Sequence, residues 1–294
     1  MADFRKVSEK IPPRRSLLSI EIFPPKTEQG ITALKDKLTS YTEYAPEFIS
    51  VTYGAGGGSQ VNTLDLVDHV QNEMGVTAMA HLTCVGHSRE ELIGILDRIR
   101  QSGVQNIMAL RGDPPRGEMG FRPVEGGFRY AADLIQLISD QGGFCIGCAG
   151  YPEGHVECAS VEKDVEYLKA KIDAGAEFIV TQFFLDNVYF YRYRDLLRRR
   201  GIRVPILPGI LPISNYSQIA KFSIMCGCSI PAKVMRGLHG KTDEDQEKFG
   251  LEHAIDQVED LLAEDVDGIH IYALNKRKAV YALAPLVRAM FPAD

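Results

Sequence analysis

Long hydrophobic runs are missing from this 294-residue chain. No stretch approaches the roughly 20 apolar residues that a membrane-spanning helix needs. The first fifteen residues, MADFRKVSEKIPPRR, carry several charges and lack the apolar segment of a signal peptide. These absences argue against a membrane protein and a secreted protein, and they predict a cytoplasmic location.

The chain also lacks a strong excess of charge of either sign. Its 33 Lys and Arg residues stand against 39 Asp and Glu residues, which gives a formal net charge of −6. One basic run, Arg198, Arg199, Arg200 and Arg203, falls at the predicted end of a helix, where positive charge is favourable. A nucleic-acid partner is therefore not expected.

Cysteine and histidine are scarce, with six and seven residues respectively. Cys145 and Cys148 form a C-x-x-C inside a predicted strand, not at a helix N-terminus, where a redox-active thiolate would be stabilised. We interpret them as buried core cysteines. Only His81 and His155 fall at predicted strand ends, so the sequence predicts no metal site.

Eight short apolar runs, each followed by an amphipathic segment, recur along the chain. The runs are bounded by Gly, Pro or charged residues, as buried parallel strands are. Strands that alternate with helices form βαβ units, and eight units predict an α/β fold of the (β/α)8 TIM barrel type, which typically takes roughly 250 residues. An open doubly wound sheet is the alternative. The predicted strands are 16–23, 47–54, 77–84, 106–113, 145–151, 178–184, 205–211 and 268–274.

The uninterrupted alternation predicts one domain over residues 1–294, with 1–15 as an N-terminal extension. The only long insertion, 227–267, precedes the last strand. Its charged segment 240–250 leads into apolar residues at helical spacing, so we expect an extra loop and helix on the rim of the barrel.

Barrel enzymes build their active sites at the ends of the strands. In the first predicted strand, Leu18, Ile20 and Ile22 alternate with Ser19 and Glu21. If the apolar set faces the helices, Glu21 points into the barrel mouth. Burial there is expected to raise its pKa, which suits a general acid. The alternative is a structural ion pair between Glu21 and a barrel Arg or Lys.

Polar residues also end four other strands. Arg111 and Asp113 share one side of the fourth strand, before the rigid pair Pro114 and Pro115, and they either neutralise each other or act on a ligand. The other strand-end residues are His81, Thr83, Tyr151, His155 and Gln182. This recurrence favours an active site over a set of unrelated structural residues.

Two common barrel chemistries fit poorly. Lys26 and Lys276 lie beyond their strands, which argues against an imine-forming aldolase. The glycine-rich turn 54–59 misses the dinucleotide pattern G-x-G-x-x-G, because Ser59 stands at its last glycine. A flexible loop that brings backbone close to a ligand is the better interpretation.

Nine segments follow one another along nearly the whole chain: IEIFPPKT (20–27), VTYGAGG (51–57), HLTC (81–84), ALRGDPP (109–115), AGYPEGH (149–155), KIDAGA (171–176), TQFF (181–184), PGILPISNY (208–216) and HIYALN (270–275). Together and in this order they resemble the methylenetetrahydrofolate reductases. The resemblance implies a barrel that binds FAD and reduces 5,10-methylenetetrahydrofolate to 5-methyltetrahydrofolate. NADH or NADPH would donate the electrons, and the nucleotide and the folate would use the flavin in turn, a ping-pong scheme. The length resembles the bacterial single-domain form.

The resemblance also implies roles for individual residues. Glu21 would be the general acid for the folate ring nitrogen, and Asp113 would lie between flavin and pterin. Phe222 would stack on a substrate, although its spacing from Ile219 also fits a core position. The FAD-binding residues would be Thr52, His81, Arg111, Gly112, Asp113, Tyr130, Ala131, Ala149, Tyr151, His155, Asp164 and Lys171. The substrate-binding residues would be Glu21, Asp113, Gln182, Gln218, Phe222 and Lys276.

The chain departs from the family at three positions. Tyr167 and Ala170 stand where members show Asn and Arg near the FAD phosphates, which leaves Lys171. Lys276 replaces an Arg of some members, so a point charge replaces a forked donor.

Self-association into a homo-oligomer is expected, because it is common among barrel enzymes and in this family. Two other functions compete with this one. One is a different flavin-dependent barrel dehydrogenase. The other is a non-catalytic folate- or flavin-binding subunit of a reductase complex. Glu21 argues against such a subunit, because binding alone does not need a buried acid.

Overall fold

Strands and helices alternate along the chain in the computed structural model, which describes residues 6–10, 17–53, 57–113 and 121–290. The predicted Pro114–Pro115 exit, the start of the glycine-rich turn and most of the N-terminal extension lie outside the described residues. The strands are β1 (Leu17–Ile22), β2 (Phe48–Val51), β3 (Ala78–Thr83), β4 (Asn106–Leu110), β5 (Cys145–Gly150), β6 (Phe178–Thr181), β7 (Ile206–Leu207), β8 (Gly209–Ile210) and β9 (Gly268–Tyr272).

Helices follow the strands and surround them. They are α1 (Val7–Lys10), α2 (Glu28–Leu38), α3 (Gly57–Asp68), α4 (Arg89–Gln101), α5 (Ala131–Gln141), α6 (Val161–Asp173), α7 (Asn187–Arg199), α8 (Tyr216–Cys226), α9 (Ala232–Leu238), α10 (Asp243–Ala263) and α11 (Arg277–Met290). Across the described part of the chain, every helix is too short or too polar to cross a bilayer.

The nine strands form one parallel sheet in the order β7-β6-β5-β4-β3-β2-β1-β9-β8. Its two edge strands, β7 and β8, follow each other in the chain and are separated only by Pro208. The sheet therefore closes into a (β/α)8 barrel, as predicted.

The prediction that residues 205–211 form one continuous seventh strand was wrong. Pro208 has no N–H to donate to the ladder, and it divides the segment into β7, which pairs with β6, and β8, which pairs with β9. The Pro208 carbonyl still accepts a hydrogen bond from the His270 N–H at 3.0 Å.

Side chains of β1 alternate between two environments, as the sequence predicted. Leu18, Ile20 and Ile22 pack in the cluster between the strands and the helices. Leu17 belongs to a second cluster inside the barrel, to which Val7 of α1 also contributes. Since the pleat has a period of two, Ser19 and Glu21 face the barrel interior with Leu17.

The insertion before β9 holds two helices, α9 and α10, where one helix was predicted. The predicted charged loop 240–250 is helical from Asp243 onward. Thr242 explains this start, because its side chain accepts a hydrogen bond from the Asp245 N–H at 3.2 Å. The acidic residues of the first turn also favour the positive end of the helix dipole.

The interpretation of Cys145 and Cys148 as core cysteines is confirmed. Both side chains are fully buried and make no disulfide. Burial raises the pKa of each thiol to about 11, so both are protonated at neutral pH.

Two helical glycines give a prediction about packing. A Cβ at Gly250 of α10 would collide with the Ile213 carbonyl oxygen, whereas nothing lies within 4 Å of a Cβ at Gly94 of α4. We expect Gly250→Ala to lower the free energy of unfolding by about 1–3 kcal/mol through overpacking. Gly94→Ala should raise it by roughly 0.5–1 kcal/mol, because alanine favours a helix. Urea unfolding of both variants measures this, and a shift of the same sign in both would contradict it.

Candidate active site

A buried group of four polar side chains lies inside the barrel around Glu21. The Glu21 Oε2 atom is 3.4 Å from Nε2 of His81 and 3.4 Å from Nε2 of His270. The Ser19 Oγ atom is 2.8 Å from Nδ1 of His270. When the Ser19 O–H donates to Nδ1, the ring proton of His270 stays on Nε2 and faces Glu21.

The strand register explains this group. β1 lies between β2 and β9, and it pairs Ser19 with His270 and Glu21 with Tyr272. His81 comes from β3, the strand beyond β2. All of these side chains face inward, so backbone hydrogen bonds of the sheet hold the group. Such a site is more rigid than one built on loops alone.

The predicted rise in the pKa of Glu21 was wrong in direction. Burial does raise it, but the hydrogen bond from His270 and the charges of His81 and His270 outweigh burial and hold the pKa of Glu21 below its usual range. Burial also lowers the pKa of His81. Glu21 is therefore an anion at neutral pH, and its partners are two histidines and not the Arg or Lys of the alternative interpretation.

A second group brings together several residues that the resemblance assigns to FAD. Lys171 of α6 donates from Nζ to the Ala149 carbonyl at 2.7 Å, and Nζ lies 5.7 Å from the centre of the Tyr151 ring. The Tyr151 and His155 rings meet edge to face at 4.8 Å. The Asp164 carboxylate accepts a hydrogen bond from the His155 backbone. The loop after β5 and the inner side of α6 therefore form one polar cluster.

Arg111, at the end of β4, joins this cluster through Glu157 and not through Asp113. Its Nη1 and Nη2 atoms donate to the two Glu157 carboxylate oxygens at 2.6 and 2.8 Å. The guanidinium also lies 5.2 Å from the centre of the Phe121 ring. This forked pair raises the pKa of Arg111. The predicted neutralisation of Arg111 by Asp113 does not describe the arrangement, and Asp113 is exposed to solvent.

Gly112 lies between these two residues in a conformation that only glycine adopts easily. Its φ is +87°, and an added Cβ would collide with Val85 Cγ1 and lie 3.0 Å from Thr83 Cβ. Thr83 has a buried hydroxyl that finds no hydrogen-bond partner in the described ranges. The backbone after β4 is thus packed closely against Val85 and Thr83, and glycine is needed there for both its φ and its size.

The three remaining FAD candidates follow strands or begin a helix at the same end of the barrel. Thr52 follows β2, and its N–H donates to the Ile22 carbonyl at 2.9 Å. Tyr130 caps α5, and Ala131 is the first residue of that helix. The Tyr130 ring is exposed, with the Arg129 guanidinium 5.5 Å from its centre.

Two predicted substrate residues meet at Ser214, which sequence reasoning missed. The Ser214 N–H donates to Gln218 Oε1 at 3.1 Å, and Lys276 Nζ donates to Ser214 Oγ at 2.7 Å. Gln182 follows β6, and its Oε1 atom accepts a hydrogen bond from the Phe183 N–H at 3.0 Å. The loops after β6, β8 and β9 therefore carry these groups at one end of the barrel.

Phe222 packs against the cluster that contains Ile219 on the inner face of α8. This contact is the one that the core interpretation of Phe222 predicted. Its ring remains partly exposed.

His270 and Tyr272 were missed as site residues, although the sequence held a signal. They alternate along β9 with Ile269 and Ile271, as Ser19 and Glu21 alternate along β1. Tyr272 donates from its hydroxyl to the Thr181 carbonyl at 2.7 Å, and its ring meets His270 edge to face at 5.0 Å. Glu157 gave no comparable signal, because loop pairings follow no period.

Solved structures share this architecture at low sequence identity. A Clostridium thermocellum protein that binds two copies of 5-methyl-5,6,7,8-tetrahydrofolic acid aligns with a TM-score of 0.65 and 15% identity, over 97% of this chain and 98% of its own. Dihydropteroate synthase from Xanthomonas albilineans aligns with a TM-score of 0.54 and 10% identity. At these identities the likeness concerns the fold alone.

Comparison of the sequence with known proteins finds relatives at higher identity. The chain is 38% identical to methylenetetrahydrofolate reductase (NADH) 1 of Arabidopsis thaliana over 282 residues, which are 92% of this chain and 48% of that protein. It therefore spans about half the length of such plant relatives. It is 37% identical to the 5,10-methylenetetrahydrofolate reductase of Escherichia coli K12 over 90% of this chain and 88% of that protein. The family profile for methylenetetrahydrofolate reductase matches residues 6–286, and the chain belongs to that family.

Proposed function

We propose that this barrel reduces 5,10-methylenetetrahydrofolate to 5-methyltetrahydrofolate, with FAD as cofactor and NADH or NADPH as donor in a ping-pong scheme. One observation carries the proposal: a buried carboxylate, Glu21, is held between His81 and His270 at the end of the barrel where this fold performs catalysis. The chain covers 88% of the Escherichia coli relative, which supports one barrel carrying the whole reaction. A cytoplasmic location suits these soluble substrates.

The residues present fit a flavin dinucleotide. Lys171 supplies a cation for a diphosphate, and Arg111 supplies a second cation that is shared with Glu157. The Tyr151 and His155 rings supply flat surfaces. The buried Thr83 hydroxyl offers a hydrogen bond that no described protein group uses. FAD, when bound, would supply the two-electron carrier between nicotinamide and folate.

Glu21 would supply the proton. Protonation of a nitrogen in the five-membered ring of the substrate lets the bond from that nitrogen to the methylene carbon break, and the electron pair stays on the nitrogen. The resulting iminium ion is the electrophile that is reduced. His270 lies on the far side of Glu21 from a substrate in the barrel mouth, so it would hold the proton that Glu21 passes on.

The other predicted residues would hold the folate. Asp113 has an exposed side chain whose carboxyl oxygens can accept hydrogen bonds from the pterin amino group. Gln182 would contact the same part of the substrate. Lys276, held by Ser214, would place a positive charge near the carboxylate end of the folate. Gln218 and Phe222 would complete the binding surface on α8.

Two half-reactions test this proposal. We expect purified protein to contain FAD or to take it up. Under anaerobic conditions, NADH or NADPH should bleach the flavin absorbance, and methylenetetrahydrofolate should then restore it. Rapid-mixing absorbance near 450 nm measures both steps. A flavin that is bleached but not restored by the folate would point to a different flavin-dependent dehydrogenase. Protein that takes up no FAD would refute the cofactor assignment.

A further inference from the structure

One face of α6 carries an exposed tyrosine between two residues of the polar cluster beside β5. Asp164, Tyr167 and Lys171 are spaced by three and four positions, which places them next to each other on the helix surface. Asp164 accepts a hydrogen bond from the His155 backbone, and Lys171 donates to Ala149. Tyr167 therefore lies at the solvent edge of the group that we assign to FAD.

The surroundings of Tyr167 leave most of its ring open. The residue is 54% exposed, and Lys163 contacts its ring, with Nζ 5.2 Å from the ring centre. Lys163 is itself held by Glu166 at 2.7 Å. Ala170, one turn further along the helix, is exposed and too small to cover the ring. A cation thus supports the ring while a broad aromatic surface faces solvent.

We propose that Tyr167 is the platform on which the adenine base of FAD stacks. This rests on the FAD assignment in the proposed function and adds a binding residue to it. A dinucleotide carries a flat base at the end opposite its flavin, joined through a diphosphate. Lys171 supplies a cation for the diphosphate, and Tyr167 is the next aromatic surface along α6. Bases stack readily on aromatic side chains, and hydrogen bonding is not needed for this contact.

Paired flavin titrations separate this contact from the rest of the site. FMN has the flavin ring and one phosphate but lacks adenosine. We expect Tyr167→Ala to weaken binding of FAD to the apoprotein about tenfold, as loss of one stacked base does, and to leave binding of FMN unchanged. Tyr167→Phe should bind FAD like the parent protein, because the ring remains. Quenching of flavin fluorescence measures each dissociation constant.

Tyr281→Ala is the matched control. Tyr281 is 40% exposed on α11, which follows β9 on another side of the barrel from α6. The Tyr281→Ala variant should bind FAD and FMN with the same dissociation constants as the parent protein. Circular dichroism checks that each variant is folded.

Three outcomes would overturn the inference. An unchanged FAD constant in Tyr167→Ala would show that the ring makes no contact with the cofactor. Equal weakening of FAD and FMN would show a general effect on the site. If the parent apoprotein binds neither flavin, the cofactor assignment fails, and the adenine contact fails with it.

Discussion

Glu21→Gln is expected to slow folate reduction by roughly 10³-fold, within the range that general acid catalysis contributes, and to leave reduction of FAD by the nicotinamide donor within about twofold of the parent. The amide keeps the size of the side chain and can still hydrogen bond to His270. An amide cannot take up a proton and pass it to the substrate, as the Glu21 carboxylate can. Because nicotinamide oxidation does not require that proton, the two half-reactions should separate. Rapid mixing of each half-reaction under anaerobic conditions measures the separation.

Glu153→Gln is a suitable control for this variant. Glu153 is a second half-buried carboxyl, on the loop after β5, where its Oε2 atom accepts a hydrogen bond from the Ser229 N–H at 2.9 Å. Burial raises the pKa of Glu153, whereas the histidines lower that of Glu21. We expect the Glu153 variant to keep both half-reactions. Equal loss of both in the Glu21 variant would contradict its role as the acid, and so would full retention of folate reduction.

For Glu21, the sequence predicted the position of the side chain but not the direction of its pKa shift. Alternation along β1 correctly placed Glu21 inside the barrel, because the period of a strand is local information. The direction of the pKa shift depends on His81 and His270, which come from β3 and β9, and only the sheet register brings them to Glu21. The sequence therefore predicted the position of the acid but not its electrostatic environment.

The sequence also failed to predict which loop residues pair with each other. Arg111 was predicted to pair with Asp113 or a ligand, since both residues share one side of a strand. It pairs instead with Glu157, 46 positions away, on the loop after β5. Ser214 joins Gln218 to Lys276 in the same unpredicted way. Contacts of this kind depend on how loops of neighbouring βα units fold over the barrel end, and no spacing rule in the sequence specifies them.

His270 supplies the second large effect that we expect. His270→Gln removes both the hydrogen bond and the charge that lower the pKa of Glu21, while burial, which raises it, remains. The pKa of Glu21 should therefore rise, and the pH above which folate reduction declines should move upward. The maximal rate of that half-reaction should fall by roughly 10- to 100-fold, because Glu21 is no longer held in place.

The pH profile distinguishes this role from a structural one. A variant that merely loosens the barrel would lower the rate at every pH without moving the midpoint. His253→Gln is the control, since His253 is a buried residue of α10 whose Nε2 atom lies 3.0 Å from the Leu185 carbonyl oxygen, away from Glu21. Ser19→Ala should move the midpoint in the same direction as His270→Gln but less, because Ser19 acts on Glu21 only through His270. A midpoint that stays fixed, or moves to lower pH, in His270→Gln would show that His270 does not set the protonation of Glu21.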